Sequence, residues 1–241
     1  MRNVVITGGS RGLGLAIAKR LAASGYGAIA IARKESAQLT SAVAEAGNGA
    51  IRFVPFDLHD IDAMPRFVAK LRKNFGPIYG LVNNAALASD GALSLMHNAR
   101  IGELIHLNTL APIIFTKYAV RTMMADGGGR VVNVASIVAF TGYAGLSVYA
   151  ATKASIIGFT RSLAREVGRM GVNVNAVAPG FLDTEMTRGL AEDQRARVAR
   201  RSALKRLTAV EDVANAVEFL LGDQAASITG TVLTVDAGST A

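Results

Sequence analysis

The 241-residue chain has no cysteine, so neither a disulfide framework nor thiolate chemistry is possible. Its three histidines, His59, His97 and His106, are scattered and have no cysteine companions, so no catalytic metal is expected. No run approaches the roughly 18 apolar residues of a membrane-crossing helix. The apolar part of the opening MRNVVITGG is too short for a signal-peptide core. The expectation is a soluble cytoplasmic protein. Proline is scarce at 5 residues, and charged residues make up only 18% against 51% hydrophobic, which excludes a disordered chain. Acidic residues are also in deficit. The 18 Asp and Glu against 26 Lys and Arg leave a net charge of +8. That excess suits nucleic acid or acidic small ligands equally. No nucleic-acid recognition motif accompanies it, so the small ligand is the expected partner.

Short β-branched runs alternate with longer helical stretches. The strand candidates are NVVIT from Asn3, GAIAIA from Gly27, IRFV from Ile51, YGLVNN from Tyr79, RVVNVA from Arg130, VNVNAVA from Val172 and TVLTV from Thr231. Several are apolar on both faces, the mark of a parallel sheet covered on both sides. A helix follows Gly12, with Leu13, Ile17 and Leu21 at four-residue spacing. Further helices are expected over Ala37–Ala46, Ala63–Phe75, Ile101–Met124, Tyr149–Val167 and Val210–Leu221. The alternation predicts an α/β Rossmann fold, a seven-stranded parallel doubly wound sheet with helices on both faces. No linker divides the chain, and single α/β domains commonly reach about 200–250 residues, so residues 1–241 read as one domain.

The first strand runs into TGGSRGLG, with Gly8, Gly12 and Gly14 opening a helix. Glycine permits positive φ and removes the Cβ that would hold a ligand away from the backbone. The helix that follows aims free N–H groups and a positive dipole end at a phosphate. The second strand ends AIAIARKES. An acidic residue there would suit the ribose hydroxyl of NAD, whereas a cation suits the 2′-phosphate of NADP. Ala32 stands at that position, followed by Arg33 and Lys34, with Arg11 in the glycine loop as a third cation. Guanidinium groups bind phosphate oxygens in a fork, so NADP(H) is the expected cofactor.

SVYAATKASIIGFTRSLAREVG places Tyr149 and Lys153 one helical turn apart. Alone, the pair also fits an ordinary surface contact. As chemistry, it joins a phenol of ordinary pKa near 10 to a cation able to lower that value. Such tuning favours acid–base catalysis near neutral pH. Farther on, residues 188–206 carry seven basic residues against two acidic ones, a net of +5. That segment reads either as a solvated helical face or as a field that steers an acidic substrate.

TGGSRGLG from Thr7, FDL from Phe56, NNAA from Asn83, HLNTL around Asn108, VNVAS ending at Ser136, YAATK from Tyr149 and APGFLDTEMT from Ala178 stand in order along the chain. Together they resemble the short-chain dehydrogenase/reductase family over its full length, with a tone closest to its bacterial 3-oxoacyl-[acyl-carrier-protein] reductases. The resemblance implies a catalytic set. Tyr149 would be proton donor, Lys153 its activator and a cofactor ligand, Ser136 the carbonyl-orienting hydroxyl, and Asn108 the anchor of a water relay. For the cofactor it implies Gly8, Ser10, Arg11, Gly12, Leu13 and Gly14 at the phosphates. Asp57 and Leu58 would flank the adenine, Asn84 and Ala85 would line the cleft, and Pro179, Gly180 and Thr184 would lie by the nicotinamide. It further implies a lid over about residues 181–206 and a homotetramer.

The implied activity is NADPH-dependent reduction of a 3-oxoacyl thioester in fatty acid biosynthesis. An alcohol or sugar dehydrogenase and a secondary-metabolism ketoreductase are the alternatives. Val138, Phe140, Tyr143 and Leu146 are apolar, as an acyl pocket would be, and core packing explains them equally well. Acyl carrier protein is a candidate partner. However, the positions matching the family's docking arginines are Gly127 and Met170, with Arg130 and Arg169 nearby.

Overall fold

Every residue of β1 (Asn3–Thr7) is buried, yet its side chains divide between two cores. Val4 and Ile6 pack with Ile17, Leu21, Val213 and Val217 on one face. Val5 packs with Met64, Leu71, Phe115 and Val131 on the other. β2 (Gly27–Ala32) divides the same way, Ala28 and Ala30 to the first face and Ile29 and Ile31 to the second. Side chains alternate along a strand, so a strand apolar at every position serves two helical layers at once.

The computed structural model describes residues 1–182 and 192–241, and for residues 192–194 the backbone only. Five further strands complete the sheet: β3 (Ile51–Pro55), β4 (Ile78–Asn83), β5 (Gly129–Val134), β6 (Val172–Pro179) and β7 (Val232–Val235). All pairings are parallel, in the order β3-β2-β1-β4-β5-β6-β7. The order reverses direction between β1 and β4, the switch point at which such sheets open a ligand crevice beyond their carboxyl ends. Helices α1 (Gly12–Ala23), α2 (Ala37–Ala46) and α8 (Val210–Leu221) contribute to the first core, and α3 (Met64–Phe75), α5 (Ala111–Ala125) and α6 (Ser147–Val167) to the second. Strand and helix positions follow the sequence pattern closely.

One expected helix is divided. Residues 101–124 read as continuous, but the chain forms α4 (Asn98–Ile105), a π-helical turn over His106–Leu110, and then α5. Pro112 is the local cause. It has no N–H to donate to a carbonyl one turn earlier, and the preceding Ala111 N–H reaches back five residues to the His106 carbonyl. Asn108 sits in the middle of this turn. The basic segment carries a helix, α7 (Glu192–Arg201), with Arg200 and Arg201 exposed as on a solvated helical face.

A chain of buried amides and hydroxyls crosses the second core. Asn83 Nδ2 donates to Thr116 Oγ1 at 2.8 Å and to Asn133 Oδ1 at 2.8 Å. Asn133 Nδ2 donates to Thr160 Oγ1 at 2.9 Å. These bonds hold the ends of β4 and β5 in register with α5 and α6. Buried polar groups left without partners carry their full desolvation cost. Asn133→Ala is therefore expected to lower the unfolding free energy by about 2 kcal/mol, read as a lower urea midpoint at unchanged slope.

Candidate active site

The glycine turn between β1 and α1 is held from three sides. Asn84, just past β4, donates from Nδ2 to the Thr7 carbonyl at 2.9 Å and to the Gly8 carbonyl at 3.3 Å. Thr7 Oγ1 accepts from the Asn84 and Ala85 amides at 3.0 and 3.1 Å. Ser36 Oγ donates to the Ser10 carbonyl and accepts from the Leu39 amide at 3.1 Å, capping α2 with the same hydroxyl. Gly8 has φ +67, and a Cβ on Gly14 would collide with the Gly8 carbonyl and the Asn84 amide. The crevice floor is thus built around backbone in a way that only glycine allows. No side chain caps the start of α1, and its first turn holds no acidic residue. Its N–H groups and dipole are therefore turned toward an anion, as a pyrophosphate requires.

Arg33 and Lys34 follow β2 and are exposed, as are Arg11 and Gly12, while Leu13 is half-buried against the first core. Asp57 and Leu58 follow β3. Asp57 is held below the usual carboxylate range, first by the His59 amide, then by the His59 ring and by the charge of Arg33. Basic strand end and acidic turn are therefore electrostatic neighbours. These residues can supply a phosphate cradle and cations for a second phosphate, so a nicotinamide dinucleotide phosphate fits the donor set. Pro179 closes β6, and Gly180 donates its N–H to the Val235 carbonyl at 3.0 Å. Thr184 and residues 183–191 of the expected lid lie outside the described residues.

The four residues expected to be catalytic stand along this same carboxyl edge. Ser136 follows β5 in extended backbone (φ −168), and its hydroxyl accepts from the Val138 amide at 3.4 Å. Its hydroxyl favours the phenolate of Tyr149, so the two side chains are electrostatic neighbours. Lys153 is only 4% exposed. Its Nζ donates to the Val134 carbonyl at 2.8 Å, tying α6 to the end of β5, and lies 5.6 Å from the Tyr149 ring centroid. Asn108, 2% exposed, spends its amide elsewhere. Oδ1 accepts from the Leu87 amide at 2.8 Å, and Nδ2 donates to the Leu87 carbonyl at 2.8 Å and to Thr152 Oγ1 at 3.2 Å. Thr152 in turn donates to the Tyr149 carbonyl at 2.7 Å. Asn108 thus joins the β4 loop to the helix that bears the tyrosine.

The electrostatics of the tyrosine and lysine correct the expectation drawn from their spacing. Burial pushes the Tyr149 phenol up to about 12, opposed by the neighbouring Ser136 hydroxyl. The ammonium does not bring the phenol below its ordinary value. Burial pushes Lys153 itself down to about 8, and its Nζ is hydrogen-bonded to the Val134 carbonyl. Spacing shows that two side chains meet. It does not show how much water each has lost.

Thr7, Ser36 and Thr152 were not singled out from sequence. Ser36 carries a readable signal as a helix N-cap, but its bond to Ser10 joins residues 26 apart. Past the ends of β5 and β6, Val138 is buried in the core, while Phe140 is exposed and Tyr143 meets Phe181 edge-on at 5.6 Å. Gly127 has φ +93 and Met170 lies exposed in a 3₁₀ turn. Arg130 is turned inward, with Nη1 on Asn173 Oδ1 at 3.1 Å and its guanidinium over Tyr79, whereas Arg169 is exposed. Among the described residues no group of histidines and acids could hold a metal ion, and no helix is long and apolar enough to cross a membrane.

A family model described as short chain dehydrogenase matches residues 2–195. A 3-oxoacyl-[acyl-carrier-protein] reductase of Escherichia coli (strain K12) is 39% identical over 234 residues, 97% of this chain and 95% of the relative. Like-named proteins of Vibrio harveyi and Mycobacterium avium are 39% and 37% identical, over 97% and 98% of this chain and 95% and 89% of theirs.

Lys153 gives a pH signature to stability. Between pH 8 and about 10.5 the unfolded chain keeps a proton on this lysine that the folded chain releases. Stability from this group therefore rises with pH across that window. Tyr149 acts oppositely but only above pH 10, where the folded state holds the proton longer. Denaturant unfolding at pH 7.5 and 9.5 is expected to show the wild type gaining about 2 kcal/mol relative to Lys153→Met. Parallel pH dependences in the two proteins would contradict the burial cost.

Proposed function

Because the chain belongs to the short-chain dehydrogenase/reductase family, oxidoreductases acting on alcohol and ketone groups, we propose that it reduces a ketone to a secondary alcohol with NADPH. We propose a 3-oxoacyl thioester as the substrate. The observation that carries this reading is the buried ammonium of Lys153, bonded to the end of β5 beside the Tyr149 ring, with Ser136 just past the same strand on the sheet edge that holds the glycine turn. The bound nicotinamide supplies the hydride. The chain's own residues orient the carbonyl and deliver the proton.

Ser136 and Tyr149 donate hydrogen bonds to the carbonyl oxygen. As that oxygen gains the electron pair of the broken π bond, Tyr149 passes it the phenolic proton, leaving an alcohol and a phenolate. A phenol near 12 keeps its proton at neutral pH until a base as strong as an alkoxide appears. That favours reduction, with proton delivery coupled to hydride arrival. Lys153, charged below about pH 8, then stabilises the phenolate through the nearby ring. Asn108 holds α6 and the β4 loop in place through Thr152 and Leu87.

Arg33, Lys34 and Arg11 support NADPH over NADH, because exposed cations at the end of β2 suit a 2′-phosphate. The relatives' names and the apolar Phe140, Tyr143 and Phe181 past the carboxyl ends of β5 and β6 support an acyl substrate. Carrier docking would run through Arg169 and the exposed Arg200 and Arg201, since Gly127 holds a left-handed backbone where an arginine would be strained and Arg130 is committed inward.

NADPH consumption against 3-oxoacyl thioesters of carrier protein and of coenzyme A, simple ketones and keto-sugars tests the substrate. Highest kcat/KM on the keto-sugars would refute the acyl reading. Tyr149→Phe is expected to lower kcat by at least about 100-fold, and retention of full activity would overturn the mechanism. Arg33→Ala/Lys34→Ala is expected to reduce the preference for NADPH over NADH by about 10- to 100-fold, the worth of one or two charge-assisted hydrogen bonds. An unchanged ratio of the two dissociation constants would remove these residues from cofactor selection.

A further inference from the structure

Two of the three histidines face each other. The rings of His59 and His106 stack with centroids 5.2 Å apart and planes 7° from parallel. His59 lies in the turn after β3 that begins at Asp57. Asp57 Oδ1 accepts from the His59 amide at 3.0 Å and lies 3.2 Å from His59 Nδ1. His106 opens the π-turn between α4 and α5, and its Nε2 lies 3.2 Å from the His59 carbonyl oxygen. An ionised carboxylate and a carbonyl only accept hydrogen bonds. The hydrogens therefore sit on His59 Nδ1 and His106 Nε2, and both contacts are made by donors.

The stack joins two parts of the site that are far apart in sequence. On one side stands Asp57, electrostatic neighbour of Arg33 at the end of β2. On the other stands Asn108, two residues past His106 in the same turn, bonded to Leu87 and Thr152, with Thr152 on the Tyr149 carbonyl. A π-turn is an irregular insertion within helical geometry, and such turns concentrate at functional sites. The His106 ring, held on the β3 turn, ties this turn to a segment outside the helix.

We propose that His59 and His106 form a positioning clasp that couples the seating of the cofactor's adenosine end near Asp57 to the π-turn carrying Asn108. The clasp rests on the cofactor reading given above. Both histidines are positioning residues. His59 sets the Asp57 turn, His106 sets the Asn108 turn, and the stack makes each depend on the other. Movement of the β3 turn as the adenosine end settles is felt at His106. Distortion of the π-turn is likewise felt at Asp57, since coupling between two sites is reciprocal.

The test measures NADPH dissociation constants by cofactor fluorescence, and kcat on the best ketone substrate. The proteins are wild type, His59→Leu, His106→Leu, the double variant and His106→Gln. The glutamine variant keeps an N–H for the His59 carbonyl and removes the stack, and it provides a mild second route should a leucine variant fold poorly. Each leucine variant is expected to raise the dissociation constant about three- to tenfold and to lower kcat. The double variant should be no worse than the worse single, because the residues act as one unit. His106→Gln is expected to fall between wild type and His106→Leu. Additive losses in the double variant would overturn the clasp, as would lowered kcat with cofactor binding unchanged. Wild type that binds NADPH no more tightly than the variants would overturn the clasp alone. Wild type that binds neither NADPH nor NADH would overturn the cofactor reading beneath it.

Discussion

When both faces of a parallel sheet are buried, polar chemistry is confined to the ends of its strands. In this chain β1 and β2 give alternate side chains to two helical layers, and neither face has room for a water-facing functional group. The residues of the candidate site accordingly sit at or just past strand ends, or on helix turns that reach those ends. Gly8 follows β1, Arg33 follows β2, Asp57 follows β3, Asn84 follows β4, Ser136 follows β5 and Gly180 follows β6. The reversal of strand order between β1 and β4 opens the edge at one place. Asn84 and Thr7 bridge that opening and hold the glycine turn against it.

The same constraint sets the chemistry of the tyrosine and lysine. Lys153 is drawn into the protein to reach the end of β5, Tyr149 stands half-buried beside it, and both lose water in doing so. Desolvation penalises the charged form of each, so the phenol holds its proton more firmly and the ammonium less firmly. The two values, about 12 and about 8, move apart from ordinary ones that nearly coincide. A phenol in this state releases its proton only to a strong base. That property suits delivery to a carbonyl oxygen in the act of becoming an alkoxide. The Val134 carbonyl compensates part of the lysine's burial with a hydrogen bond and fixes where the charge sits.

Asn108 shows how a break in regular structure can serve the site. A continuous helix over residues 101–124 would leave its amide at an ordinary helical position. Pro112 and the turn before it open the helix by one residue, and the amide then meets the backbone of Leu87 and the hydroxyl of Thr152. The stacked histidines meet at the first residue of this turn. They place it in contact with the β3 turn, so the irregular segment is braced from both sides.

Much of this was legible in the amino-acid order. Strands apolar on both faces implied a doubly covered sheet, the glycine spacing implied a phosphate turn, and the basic strand end implied a phosphorylated ribose. These are local patterns, set by residues within a few positions of each other. Other features needed long-range contacts. Ser36 reaching Ser10, Asn108 reaching Leu87 and Thr152, and His106 meeting His59 join residues 21 to 47 positions apart. The helix break was visible as a proline but not as a π-turn, because Pro112 removes a donor without saying how the chain will respond. The sequence by itself determined the sheet, the glycine turn and the pairing of Tyr149 with Lys153. Only the tertiary structure decided their protonation, because a pKa depends on the water each group has lost, and that follows from packing contributed by the rest of the chain.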